Sequence, residues 1–367
     1  MSNKNGLNYL FNYHRVTGIT YFAHELSKKK LSFKSIILTL YNFLVLGIFI
    51  YNIYMLFVQE STASIFYKGE DIQNIAKRNV LLFVNNMGFV GFSVLAIYSC
   101  IFYMIKGNQI VDILKRDQLK NVSNKFEKRM ALSIIFIQML YSLSVELILT
   151  IAIDSHYNGL STQISFSSII RIIRDIICYF LAYNSHLTII SLIAYKSYIV
   201  SNELKNFKIN IKSKKNIELM FEFIQNTQKS VKSFDKIINN CIFVTLIITS
   251  LNCLSLSTIV INPIKFLYIA LGTLLESLSV LWMLCYVCDI IPKSFREFIY
   301  RLNDQFLEMY SISSEFNEYC LIINRIKEMK DEMCFTIFNQ YVVNIKTFIS
   351  CIAVITSYVV IIIQTNV

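Results

Sequence analysis

The chain has 367 residues, of which 55% are apolar and only 16% are charged, and its mean hydropathy is +0.51. This balance excludes an ordinary soluble domain and indicates an integral membrane protein. The net charge of +11 follows from basic residues that flank apolar segments, so it does not indicate nucleic-acid binding.

Seven stretches are apolar for long enough to cross a hydrocarbon core about 30 Å thick, which takes about 20 helical residues. They cover residues 35–58, 79–105, 130–153, 176–195, 241–264, 266–288 and 347–363. The last stretch is short, but it continues backwards through Tyr341–Lys346. Only two prolines occur in the chain, which suits long helices. We therefore predict an all-α, polytopic membrane protein with seven transmembrane helices.

Lysine and arginine are concentrated in alternate connecting segments. Segments 1–34, 106–129, 196–240 and 289–346 hold 29 of the 35 basic residues. The positive-inside rule places these segments in the cytoplasm. Seven crossings from a cytoplasmic N-terminus then leave the C-terminus extracellular. A multi-pass protein of the plasma membrane is the expected result.

The cytoplasmic segments carry apolar residues at helical spacing. One series begins after Pro292 and consists of Phe295, Phe298, Ile299, Leu302, Phe306 and Met309. Another leads into the last span and consists of Ile322, Ile326, Met329 and Met333. A third series consists of Leu204, Phe207, Ile211, Leu219, Phe223 and Ile224. We predict that spans four to six extend into the cytoplasm as an amphipathic anchor bundle that feeds the seventh helix. Its apolar stripe is buried either within one chain or between subunits, and we favour burial between subunits.

These boundaries divide the chain into six predicted parts. They are a cytoplasmic segment over 1–34, transmembrane helices one to four over 35–195, a cytoplasmic helical segment over 196–240, transmembrane helices five and six over 241–288, anchor helices over 289–346, and the seventh helix with the C-terminus over 347–367. The sequence contains no Gly-x-Gly-Asp or His-Glu-x-x-His pattern, so we expect no enzyme activity. We also expect no cofactor and no metal, because Cys285 and Cys288 lack further ligands nearby.

The seventh span ends on Tyr358, five apolar residues and Gln364. Because these two polar residues lie six positions apart, they point to different sides of a helix, one towards a neighbouring helix and the other towards a pore. Seven spans, a cytoplasmic N-terminus, a long helical last cytoplasmic segment and this ending resemble the insect gustatory receptor family. That family ends on Thr-Tyr-(five apolar)-Gln-Phe. The chain has Ser357 in place of the Thr and Thr365 in place of the Phe.

The resemblance implies a ligand-gated, non-selective cation channel for small extracellular tastants, assembled as a homotetramer or as a heteromer with related receptors. In such receptors the seventh helix of each subunit lines one central pore, and the preceding cytoplasmic helices hold the tetramer together. Carried onto this chain, the pore and gate residues are Tyr358, Ile361, Gln364 and Thr365. A ring of Thr is smaller and more hydrated than a ring of Phe. We expect a leakier channel or a gate displaced inward to Ile361, unless Thr365 is a frayed terminal residue without a part in gating.

Polar residues inside the spans are the candidate ligand-binding residues, because such groups are costly in lipid and usually functional. Glu146 lies about two turns from the outer end of the third span, and Glu276 lies near the middle of the sixth. A carboxylate accepts hydrogen bonds from sugar hydroxyls and pairs with amines. The alternative is a protonated glutamate bonded to a neighbouring helix. Further candidates, each with helix packing as the alternative role, are Asn85, Asn86, His186, Asn252 and Tyr268.

Two other receptor classes remain as alternatives. An odorant-receptor-type chemosensory channel shares the orientation and the channel design but lacks the Tyr-to-Gln ending. A G-protein-coupled receptor has the opposite orientation, and the Asp-Arg-Tyr and Asn-Pro-x-x-Tyr signatures are absent from this sequence. The expected partners are a small-molecule tastant and membrane lipid. The sequence does not select among sugars, bitter compounds, carbon dioxide and internal nutrients as the ligand.

Overall fold

The chain is almost entirely helical. The computed structural model describes residues 6–17, 33–58, 75–118, 124–158, 166–211, 213–261, 267–309 and 316–365. Within these ranges the helices are α1 (Gly6–Val16), α2 (Phe33–Val58), α3 (Ile75–Gln118), α4 (Asn124–Asn158), α5 (Phe166–Asn206), α6 (Lys214–Ile261), α7 (Leu267–Met309), α8 (Phe316–Glu328) and α9 (Ile345–Thr365). A short 3₁₀ helix (Met329–Glu332) and two strands, β1 (Thr336–Ile337) and β2 (Tyr341–Val342), lie between α8 and α9. The predicted all-α class is confirmed.

The seven predicted spans fall in helices α2 to α7 and α9, as far as the described ranges reach. By length and composition, three segments of the described chain can cross a membrane: Val94–Arg116, Lys215–Leu254 and Leu274–Phe306. Ile345–Ile361, within α9, is a shorter apolar helix. The number of crossings and the cytoplasmic N-terminus stay predictions.

Part of the apolar stripe of the anchor segments is buried within one chain, although Leu219 is 53% exposed. Leu204 of α5 and Phe298 and Leu302 of α7 are fully buried. The Phe207 ring stacks on Phe223 with centroids 4.3 Å apart, and it meets the Phe298 ring edge-on at 6.1 Å. Our preference for burial between subunits is therefore wrong for these side chains. Helices α5, α6 and α7 of the same chain already supply the apolar surfaces that they need.

A β-hairpin separates the anchor helices from α9. Strand β1 pairs with β2 in antiparallel register, with Thr336 opposite Val342. Phe338 and Asn339 in the turn have φ angles of 53° and 56°, a left-handed conformation that breaks any α-helix. The predicted continuation of the last span backwards through Tyr341–Lys346 is therefore wrong, because Tyr341 and Val342 form β2 and α9 begins at Ile345.

Contacts with α6 explain why this segment forms a hairpin and not a helix. The Asp235 carboxylate accepts the backbone N–H of Thr336 at 2.9 Å and its hydroxyl at 2.6 Å. At the tip of the hairpin, the Phe338 ring lies on Phe243 with centroids 4.4 Å apart. Charged hydrogen bonds to a buried carboxylate contribute about 1.5–3 kcal/mol each. These contacts favour the hairpin over a backward continuation of the last helix.

The first helix docks on α4. The buried Glu127 carboxylate of α4 accepts the Leu7 N–H at the start of α1 at 3.1 Å, and it accepts the Tyr195 hydroxyl of α5 at 2.6 Å. Gly6 lies so close to α4 that a Cβ atom there would be 2.5 Å from the carbonyl oxygen of Glu127. Only glycine permits this approach without a shift of the backbone.

Two side chains of α1 reach α5. The Tyr13 hydroxyl donates to Asn184 Oδ1 at 2.9 Å, and His14 Nε2 lies 2.8 Å from the Ser191 hydroxyl. His14 is fully buried, and this burial lowers its pKa to about 3, so the imidazole is neutral. These contacts make α1 an integral part of the helical bundle.

Candidate functional site

The final helix begins at a capped residue. Asn344 Oδ1 accepts the backbone N–H of Lys346 at 2.9 Å and that of Thr347 at 3.2 Å, which satisfies two donors of the first turn. The Thr347 hydroxyl donates to the carbonyl oxygen of Val342 at 3.1 Å. The start of α9 is thereby joined to the hairpin.

One side of α9 packs on the rest of the chain. Its neighbours in the described chain are α6 and α7. Ile355 is buried, and Phe348 packs against the core cluster. Cys351 lies close to Cys253 of α6 and to Cys285 of α7.

The other side of α9 is exposed and carries a neutral polar stripe, which we define as Ser350, Ser357 and Gln364. These three exposed residues recur every seven positions, so they lie within about 20° of one line along the helix. The hydroxyls of Ser350 and Ser357 donate to the carbonyl oxygens of Lys346 at 3.0 Å and Ala353 at 2.8 Å. Because their protons are already placed within the helix, these hydroxyls offer oxygen lone pairs to water or cations.

The predicted pore residues lie on this exposed side, so far as their side chains are described. Tyr358 is 54% exposed and Ile361 is 51% exposed, and Gln364 is exposed as well. Tyr358 lies about 120° around the helix from Gln364. The side chain of Thr365 lies outside the described residues.

Two of the predicted ligand-binding residues are buried on neighbouring helices. Glu276 of α7 and Asn252 of α6 are 6% and 0% exposed. The Tyr141 hydroxyl of α4 donates to the carbonyl oxygen of Glu276 at 3.1 Å. Both amide atoms of Asn252 are buried without a hydrogen-bond partner in the described part of the chain. The side chains of the other candidates lie outside the described residues: Glu146, Asn85, Asn86, His186 and Tyr268.

Sequence reasoning missed Ser350 and Ser357. Single serines in an apolar segment attract little attention, because most of them donate to the backbone of their own helix. The signal was present in the seven-residue spacing that Ser350 and Ser357 share with Gln364. It becomes informative once α9 is known to be covered on one side only.

Comparison with known proteins identifies the architecture. No protein family model matches the chain, and no curated protein sequence matches it. A structure of the insect olfactory receptor OR5 from Machilis hrabei, in complex with eugenol, superposes with a TM-score of 0.65 at 10% sequence identity and covers 97% of each chain. The chain has the fold of an insect olfactory receptor. A second structure of that receptor gives a TM-score of 0.61 at 10% identity over 98% of each chain.

Proposed function

We propose that this chain is one subunit of a ligand-gated, non-selective cation channel of the insect chemoreceptor kind, with α9 lining a pore between several copies. The observation that carries the proposal is the exposed neutral polar stripe of α9. The olfactory-receptor fold, which extends over 97% of the chain, supports the same proposal.

The polar stripe of a single chain does not enclose a pore by itself. Polar groups that face hydrocarbon are costly, so a stripe of this kind in a spanning helix faces protein or water. In the described chain α9 packs against α6 and α7 on its other side. In a tetramer, four such stripes can face a common axis, where water hydrates their polar groups. The only charged side chain along that path is then Lys346, at its inner end.

Ligand binding acts through the helices that hold α9. Asn252 and Glu276 belong to α6 and α7, the two helices on which α9 packs. A buried amide without a protein partner is suited to a ligand that supplies the missing hydrogen bonds. A ligand bound there shifts α6 relative to α7 and moves α9, so that the gate near Ile361 and Gln364 widens.

Two ligand classes follow from two different observations. The Tyr358-to-Gln364 ending favours a gustatory receptor, for which the Glu276 carboxylate suits sugars or amines. The structural likeness favours an odorant-receptor-type channel, since the Machilis receptor is in complex with eugenol. Calcium influx into cells that express the chain, measured with a panel of sugars and with eugenol, separates the two classes.

Cysteine accessibility tests the pore assignment. Ser357 lies on the polar stripe, whereas its neighbour Thr356 is also exposed but lies about 100° around the helix. We expect a charged, membrane-impermeant methanethiosulfonate reagent to label Ser357→Cys and to reduce its cation current. Thr356→Cys is the matched control and should keep its current. Equal modification of both variants, or modification of Thr356→Cys alone, contradicts a pore on the Ser357 side.

A further inference from the structure

A charged cavity lies beside the first turn of α9, on the side of the chain that we predict to be cytoplasmic. Its volume is about 500 Å³. Three cationic side chains line it from three separate parts of the chain: Arg296 of α7, Lys330 of the 3₁₀ helix and Lys346 of α9. Asp289 is the one carboxylate in its described lining. The cavity therefore has a formal charge of +2.

Carboxylates of the described chain neutralise the cationic side chains of the cavity only weakly. Arg296 Nη2 lies 4.0 Å from Asp289 Oδ1, which is too far for a hydrogen bond. Neither Lys330 nor Lys346 forms an ion pair with a carboxylate that the structure describes. All three residues are exposed, so water and salt screen their mutual repulsion, and an anion in the cavity is attracted to all three. The folded chain thus holds an arrangement that an anionic ligand stabilises.

We propose that this cavity binds a phosphate group and, through it, fastens the start of α9 to α7. A phosphate presents several oxygens to groups that converge from different directions, and both arginine and lysine bind it well. The volume lies within the range of small-molecule sites, about 300–1,000 Å³, and accommodates an inositol phosphate headgroup. Two backbone donors at the start of α9 are already used by Asn344, so the side-chain charges carry this site.

The position of the cavity allows two sources of phosphate. The sixth predicted span ends at residue 288, directly before Asp289, and the seventh begins next to Lys346. The cavity therefore lies at the depth of the inner-leaflet headgroups, where anionic lipids are concentrated. A phosphorylated lipid and a soluble phosphorylated metabolite present the same chemistry there.

Binding at this site goes beyond the proposed channel function, because it concerns a second ligand and is measured without any current. The full chain is placed in phosphatidylcholine nanodiscs with or without phosphatidylinositol bisphosphate, and soluble inositol trisphosphate is titrated separately. The readouts are the thermal denaturation midpoint and the dissociation constant. We expect at least one probe to raise the midpoint, and this effect should weaken with added salt.

A double variant tests the residues. Lys330→Gln with Lys346→Gln should weaken binding by about tenfold or more, since it removes two charge-assisted contacts. The matched control is Lys229→Gln with Lys236→Gln, which changes the net charge equally on the exposed side of α6. Asp289→Asn should tighten binding several-fold, because it removes the carboxylate that repels phosphate. A merely destabilised protein cannot show this gain.

The outcomes assign the source or overturn the proposal. A response to the lipid alone assigns a membrane headgroup, and a response to inositol trisphosphate as well assigns a phosphate ligand that also binds from solution. Absence of any response overturns the site. Equal weakening in the double variant and its control, or weaker binding by Asp289→Asn, overturns it too.

Discussion

His14 is a buried neutral base, and its stabilising effect depends on pH. Its pKa is about 3 in the folded chain against about 6.5 when exposed, so below pH ~6.5 the unfolded state takes up a proton that the folded state does not. The free energy of unfolding therefore falls as the pH drops from about 6.5 towards about 3, by up to ~1.4 kcal/mol per pH unit. Above this window, the contribution of His14 does not change with pH.

Thermal denaturation of the purified chain at neutral pH and at pH ~5 measures this effect, and we expect a lower midpoint at the acidic pH. His14→Gln is the control, because the amide can replace the hydrogen bond to Ser191 but does not titrate in this range. If His14→Gln loses as much stability on acidification as the wild type, another group is responsible.

Single polar residues can be selected from the sequence where they occur in apolar segments, and their part in ligand binding stays a prediction. Glu276 and Asn252 stand out as polar groups in apolar segments, and both are buried. His14 could not be selected in the same way, because Ser191 lies 177 positions further along the chain. A separation of 120 residues likewise hides the pairing of Glu127 with Leu7.

At the scale of elements, the hairpin before α9 depends on a left-handed turn. Asn339 has a φ of 56°, and a β-branched residue in this conformation costs about 1–2 kcal/mol. We expect Asn339→Val to lower the free energy of unfolding by roughly that amount, whereas Asn339→Gly should be nearly neutral. Denaturation midpoints of both variants check the prediction. An equal loss in both would instead implicate the hydrogen bond from Asn239, which is 3.4 Å long.

The long helices were predictable from hydropathy, and the hairpin was not. The stretch Tyr341–Lys346 directly before the last span indicated a backward continuation of that helix. The Asp235 carboxylate, which is 101 residues away from Thr336, changes this outcome through contacts that a local pattern does not contain. Asn339 was the one local signal, since asparagine tolerates the left-handed region better than most residues.

At the scale of the whole molecule, the charge asymmetry of the segments makes a topological prediction. An epitope tag after Val367 should be stained on intact cells, whereas a tag before Met1 should be stained only after permeabilisation. This experiment needs no ligand. Surface staining of the N-terminal tag alone would contradict the channel proposal and favour a G-protein-coupled receptor.

Composition was sufficient to predict the helical class. Apolar segments of spanning length indicated a helical membrane protein, and the superposition on an olfactory receptor at only 10% identity shows the same helical fold. The orientation that the basic residues indicate stays a prediction. The packing of the anchor segments was harder to predict from the sequence. Whether the apolar stripe of the anchor segments faces its own chain or another depends on the relative placement of α5, α6 and α7, which no single segment encodes.

The docking of α1 also constrains when the chain can finish folding during synthesis. The partners of α1 lie 120 residues after Leu7 and 177 residues after His14. At translation rates of about 5–20 residues per second, Ser191 is made roughly 9 to 35 seconds after His14. Helix α1 therefore waits for α5 before its buried polar groups find their partners. A mutation that slows the insertion of α4 or α5 would leave α1 exposed to proteases and chaperones for longer, although α1 itself is unchanged.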